Sequence, residues 1–194
     1  MKKTLYSLNP SQYPDIEIDF IPTTAEKTAD FADPEIIEAR KTAVVQARKL
    51  TKEEKIDSRP RVVVDSKPYV FTETTNTAPA GSWVITNPDG EDYVIKDKYK
   101  EVTNPDGTKT KVLVTADEQF QAKYQPTENG YIATEGPKKF RQVSHFDICF
   151  EASWGETQFA PKGSYICIEY GPGEEYSVTN SAFESTYQIE TPVM

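Results

Sequence analysis

A chain of 194 residues with 31 acidic against 22 basic side chains has a formal net charge of -9, which opposes general attraction to nucleic acid. Its two cysteines, Cys149 and Cys167, are too few for a disulfide framework or a four-ligand zinc set, and both are expected to be small buried residues. No stretch approaches a membrane span, and the opening lysines precede no apolar run of the signal-peptide kind, so the expected location is cytoplasmic, the host cytoplasm for a viral gene.

Residues 1–32 read as a loosely structured arm broken by Pro10, Pro14 and Pro22, with one strand candidate where Ile16, Ile18 and Phe20 alternate with Glu17 and Asp19. Such an arm either trails as a tail or docks as an edge element. Asp33-Pro34-Glu35 combines a capping side chain, a proline suited to the first helical position and an acid at the positive end of the helix dipole, which predicts a short helix near residues 34–41. TAVVQA, from Thr42, has strand composition, so the helix is expected to give way to a strand there.

RVVV from Arg61, YVFTETT from Tyr69, SWVIT from Ser82 and DYVIK from Asp92 are short, rich in β-branched and aromatic residues, and separated by turn residues, as strands are. Asn87-Pro88-Asp89-Gly90 supplies type I turn chemistry and predicts a hairpin between SWVIT and DYVIK; Asn104-Pro105-Asp106-Gly107 predicts a second one. Further on, Phe146, Ile148 and Phe150 alternate with Asp147, Cys149 and Glu151, which predicts a strand with one apolar face. YICIEY from Tyr165 and EEYSV from Glu174 follow, divided by a Gly-Pro-Gly turn at residues 171–173.

The chain also repeats itself. PAGSWVITNPDGEDYVI from Pro79 and PKGSYICIEYGPGEEYSV from Pro161 align Pro79, Gly81, Ser82, Trp83 and Val84 with Pro161, Gly163, Ser164, Tyr165 and Ile166. After the turn, Gly90, Glu91 and Tyr93 align with Gly173, Glu174 and Tyr176. Each copy closes on a Phe-x-x-x-Tyr-Gln element, beginning at Phe120 and at Phe183. Three matches in the same order mark an internal duplication. The expected fold is therefore β-rich α+β: two tandem small antiparallel β modules with short helical segments, packed as one body. The predicted divisions are an arm at 1–32, a first module at 33–136 with a hairpin insertion at about 96–115, and a second module at 137–194.

These motifs resemble the bacterial and phage family named for its PGDYG motif. ETTNTAPAGSWVITNPDGEDYVI with FQAKYQP is similar to its turn, Gly-Glu-x-Tyr hairpin and Phe-x-x-x-Tyr ending, and APKGSYICIEYGPGEEYSV with AFESTYQ repeats the same signature. In both copies the Asp of the family motif is Ser, at Ser82 and Ser164, so a role of that Asp does not carry over. The resemblance spans much of residues 42–190. It implies a phage, prophage or mobile-element setting and no particular chemistry.

Duplicated modules that pack face to face enclose a seam, and a ligand site is expected there. The candidate ligand-contacting residues are Glu91 and Glu174 as a carboxylate pair, Tyr93 and Tyr176 beside them, and Trp83 and Tyr165 as stacking surfaces. The competing reading makes these residues charged hairpin flanks backed by buried aromatics. His145 and Cys149 supply the residue types of a base and a nucleophile, but strand neighbours four apart lie roughly 13 Å from each other, too far for direct activation. His145, Asp147 and Glu151 match no strong metal spacing, and residues 171–173 lack the lysine and helix of a phosphate loop. No catalytic set, metal or cofactor is expected. The sequence thus points to a non-catalytic phage or prophage accessory protein that binds a host protein or a small ligand. A structural virion or assembly protein, forming homo-oligomers through its arm and open strand edges, is the alternative, and an enzyme using Cys149 and His145 ranks behind both.

Overall fold

The computed structural model describes residues 1–171 and 173–190; Pro172 of the predicted Gly-Pro-Gly turn and residues 191–194 of the predicted second module lie outside the described residues. The fold is β-rich α+β, built from small, mainly antiparallel sheets and three short helical segments.

Two five-stranded sheets carry the duplication. The first runs Asp92–Ile95, Trp83–Thr86, Val44–Lys49, Gly130–Ala133, Tyr124–Thr127. The second runs Tyr176–Val178, Tyr165–Cys167, Lys138–Gln142, Ile37–Lys41, Tyr187–Ile189. Their registers agree residue for residue: Trp83 faces Lys49 and Ile85 faces Ala47 in one, while Tyr165 faces Gln142 and Cys167 faces Phe140 in the other. The correspondence includes the backbone bonds at the turn entering each unit. Gly81 N–H donates to Leu50 O at 2.8 Å and Gly163 N–H to Val143 O at 2.7 Å. Both glycines have φ near +90° (90° and 93°), a conformation that any side chain would strain.

The two sheets have exchanged a strand. Gly130–Ala133, which precedes Lys138–Gln142 in the chain, pairs instead with Val44–Lys49 and Tyr124–Thr127 of the first sheet. Ile37–Lys41, which precedes Val44–Lys49, pairs with Lys138–Gln142 and Tyr187–Ile189 of the second. Ile37–Lys41, from the range predicted for the first module, therefore completes a sheet whose other strands lie in 137–194, while Gly130–Ala133 stays with strands of the first. Thr42 and Ala43, which link Ile37–Lys41 to Val44–Lys49, lack the Gly or Asn that a two-residue hairpin requires, so the chain crosses to the other sheet and does not fold back. At Gly130 the crossing strand runs so close to its neighbour that an added Cβ would sit 2.5 Å from Val45 O.

The exchange also corrects the predicted helix near residues 34–41. Asp33 Oδ1 does accept from Glu35 N–H at 2.9 Å, but no helix follows. Ile37–Lys41 is an interior strand with a partner on each side, and that pairing overrides the local helix signal. The strand expected within TAVVQA is present as Val44–Lys49, and both Asn-Pro-Asp-Gly hairpins form.

Each sheet is covered by a short helix with a threonine cap. Ala116–Lys123 has a full capping box between Thr115 and Glu118, and Asn180–Thr186 is capped by Thr179. These helices bring Phe120 and Phe183 onto the sheets. Phe120 stacks between Trp83 (ring centroids 3.9 Å) and Tyr124 (5.3 Å), and Phe183 stacks between Tyr165 (3.7 Å) and Tyr187 (5.1 Å). The repeated aromatic residues are thus one packing device used twice, each ring pair adding about 0.5–1.5 kcal/mol beyond its burial.

The N-terminal arm is not loose. Lys2–Ser7 pairs with Ile16–Asp19 on one side and Lys67–Val70 on the other, and Leu5 and Phe20 enter a core with Val62, Phe71, Cys149 and Phe159. The predicted strand at Phe146 begins later, as Ile148–Glu151, and both of its faces are covered. Ile148 and Phe150 pack with Val143 and Ile166, while Cys149 joins the arm's core; Phe146 is exposed. No helix among the described residues is long and apolar enough to cross a membrane. In contrast to the rest, Lys98–Thr103 and Lys109–Val114 form a two-stranded ribbon that packs on no other sheet and is exposed along nearly its whole length.

Candidate ligand site

Where the two composite sheets meet lies a cleft of about 790 Å³, within the range of small-ligand sites. Its walls come from both copies. Tyr93 and Tyr124 contribute from the first and Tyr176 and Tyr187 from the second, positions that correspond in the duplication. The Tyr93 and Tyr124 hydroxyls are hydrogen-bonded to each other, and Tyr187 is paired with Tyr176. Burial raises Tyr124, Tyr176 and Tyr187, so all three keep their protons and present neutral hydroxyls.

The charges do not follow the symmetry. Lys41 lies at the end of its exchanged strand, where its counterpart in the other sheet is Ala133; Lys138 corresponds to Val45, and Lys123 to Thr186. Glu135, in the second crossover, pairs with Lys138 at 2.8 Å and Lys123 at 3.8 Å. Burial works against the Glu135 carboxylate, but Lys138, Lys123 and Lys41 together hold it below its ordinary value. Lys138 also donates to the Tyr170 hydroxyl at 2.8 Å. One carboxylate therefore serves two lysines, leaving that end of the cleft positive.

Among the described residues no carboxylate or hydrogen-bond acceptor holds Lys41. Its Nζ lies between two rings, 5.4 Å from the Tyr93 centroid and 5.6 Å from that of Tyr187. Burial, reinforced by the Lys138 charge, pushes its amine down to about 8. Glu91 accepts from Ser58 Oγ at 3.0 Å, and burial, with Asp89 adding, pushes its carboxyl up to about 7. Near neutral pH it is only partly charged, so it offsets little of the lysine field. Asn87 Oδ1, also on the cleft, is a buried acceptor without a partner among the described residues, and Trp154, half exposed, stands at the cleft with its Nε1 bonded to Glu156 at 2.9 Å.

Three of the candidate residues, Glu91, Tyr93 and Tyr176, line this cleft. Trp83 and Tyr165 do not: each is committed to its aromatic stack, and Trp83 Nε1 donates to Asp117 at 2.7 Å. Glu174 is exposed; its neighbour Glu175 is buried and accepts from Gly173 N–H at 2.7 Å, so Glu91 and Glu174 form no pair across the seam. Lys41, Glu135 and Lys138 have no sequence signal, because only the strand exchange brings them together. Tyr124 and Tyr187 were visible as the ends of Phe-x-x-x-Tyr, a spacing that also suits pure packing.

Cys149 is buried, and desolvation raises its thiol; Sγ lies 3.4 Å from Met1 Sδ in an apolar core, whereas His145 is exposed ahead of the strand. That is the setting of a structural cysteine. Among the described residues no three His, Cys, Asp or Glu side chains are grouped to hold a metal ion. A smaller cavity of about 280 Å³ beside Arg141 is flanked by Glu26 and Glu175, which oppose an anion there. No known family, curated protein or solved structure matches the chain.

Proposed function

We propose that this chain is a non-catalytic binding protein that holds a small anionic ligand in the cleft between its two copies. The observation that carries the reading is Lys41: a partly buried cation without a partner among the described residues, set between aromatic rings at the positive end of a cleft of suitable size. The neutral tyrosine hydroxyls and the unpartnered Asn87 Oδ1 add donors and an acceptor for orienting a ligand. Support for a phage or prophage accessory role in the host cytoplasm comes from the motif resemblance alone.

A second reading, a protein partner, draws on the exposed ribbon, where Tyr99 is 71% accessible beside Leu113, its cross-strand neighbour. The virion-connector alternative loses its main support, because the arm that would link subunits is docked in its own chain.

The ligand reading is tested by calorimetric titration with a panel of small carboxylates and phosphates, on the native chain and on Lys41→Met. Saturable binding of a panel member, lost in a Lys41→Met protein that is at least as stable, supports it. An absence of binding across the panel, or binding indifferent to Lys41, contradicts it.

A further inference from the structure

An amine surrounded by tyrosine rings, without a carboxylate partner among the described residues, is placed for covalent work as well as for charge. The neighbouring positive end, where Lys123 and Lys138 share Glu135, offers a seat for a carboxylate. We propose that Lys41 Nζ captures the keto group of a small 2-oxo acid as an imine, with the acid's carboxylate at Lys123 and Lys138; this deepens, and rests on, the reading of the cleft as an anion site.

The step balances without a redox partner. The neutral amine's lone pair forms a C–N bond to the keto carbon as the carbonyl π pair moves to oxygen. That oxygen takes one proton from the attacking nitrogen and a second, the one first given up by the ammonium, and leaves as water while C=N forms; overall, ammonium and ketone give iminium and water. Glu91 lines the same cleft without touching Lys41, so it would take up the amine proton and return it to the departing oxygen through an intervening water. Two features favour Lys41 over other amines. Desolvation enlarges its neutral fraction near neutral pH, whereas Lys98 at the rim is exposed. The chain's amino group is bonded to Asp19 and to Phe20 O. Around Lys41 the titratable groups on the cleft are Glu91 and Tyr93 from the first hairpin, Lys98 from the ribbon, Lys123 and Tyr124 from the helix end, Glu135 and Lys138 from the crossover, and Tyr170, Tyr176 and Tyr187 from the second copy.

The full chain is incubated near neutral pH with phenylpyruvate and sodium cyanoborohydride, and the reduced adduct is located by peptide mass mapping. Phenyllactate, which has the same ring and carboxylate but no ketone, is titrated in parallel. The expected result is a single adduct on Lys41, exceeding that on any other amine by at least about tenfold, suppressed by excess phenyllactate and absent in Lys41→Arg protein whose circular dichroism is native. Label spread over exposed lysines or concentrated on the Met1 amine overturns the inference, and this mapping on the native chain does not depend on how the variant folds. Saturable phenyllactate binding without a Lys41 adduct overturns imine capture and leaves the anion site standing, whereas neither binding nor adduct overturns both.

Discussion

Lys41 is held against its own solvation, and that leaves a mark on stability. Its folded value, near 8, lies below the ordinary 10.5, so the fold carries no cost from it above about 10.5 and the full cost below about 8. Lys41→Met is therefore expected to raise stability at neutral pH by on the order of 1 kcal/mol or more, read as a higher urea midpoint, while anion binding is lost. Glu91 and Glu73 carry the opposite charge and act at lower pH in the opposite direction, stability falling as pH rises. Glu73 accepts weakly from Phe159 N–H, and burial, with Glu91 adding, pushes its carboxyl up to about 8. Both acids bind protons more readily when folded than at the ordinary 4.5, so their contribution is complete below about 4.5 and is lost as pH rises through about 7 and 8. The melting temperature should accordingly fall between pH 5 and pH 8, and Glu73→Gln should flatten that fall; an unchanged slope in the variant would contradict the assignment.

At the scale of elements, the repeated stretches turn out to be packing units. The sequence shows the turn, the hairpin and the Phe-x-x-x-Tyr element, because each depends on neighbours close in the chain. It does not show that Trp83 and Tyr165 stack on Phe120 and Phe183 and are thereby withdrawn from the cleft, which depends on how each capped helix lies on its sheet. Phe120→Ala and Phe183→Ala should each cost about 3–5 kcal/mol, measured by chemical denaturation, with similar losses in the two copies because the stacks are equivalent. The ribbon is the opposite case. Its residues from Tyr99 to Leu113 cover no core, so replacing them with a short Gly-Ser link should leave the melting temperature within a few degrees. A large drop would show that the ribbon supports the fold.

Over the whole molecule, the decisive feature is the reciprocal strand exchange. A tandem duplication was legible in the sequence, and two tandem modules packed as one body were the expectation from it. Which of two similar sheets receives Ile37–Lys41 or Gly130–Ala133 is a long-range choice that local pattern does not encode. The consequence is that residues 137–194 lack Ile37–Lys41, the strand that lies between Lys138–Gln142 and Tyr187–Ile189, so that half made separately should show little native near-ultraviolet dichroism and regain it when refolded with residues 1–136. The same crossing assembles Lys41, Glu135 and Lys138 on one cleft, which is why the charged part of the site was invisible while its tyrosines were partly visible. That the exchanged copies close a site for a small anion is tested most directly by following backbone amide resonances during titration with phenyllactate. Saturable shifts concentrated at Lys41, Glu91, Glu135 and Lys138 are predicted; shifts that do not saturate, or that scatter over the exposed surface lysines and leave these residues unmoved, would contradict it.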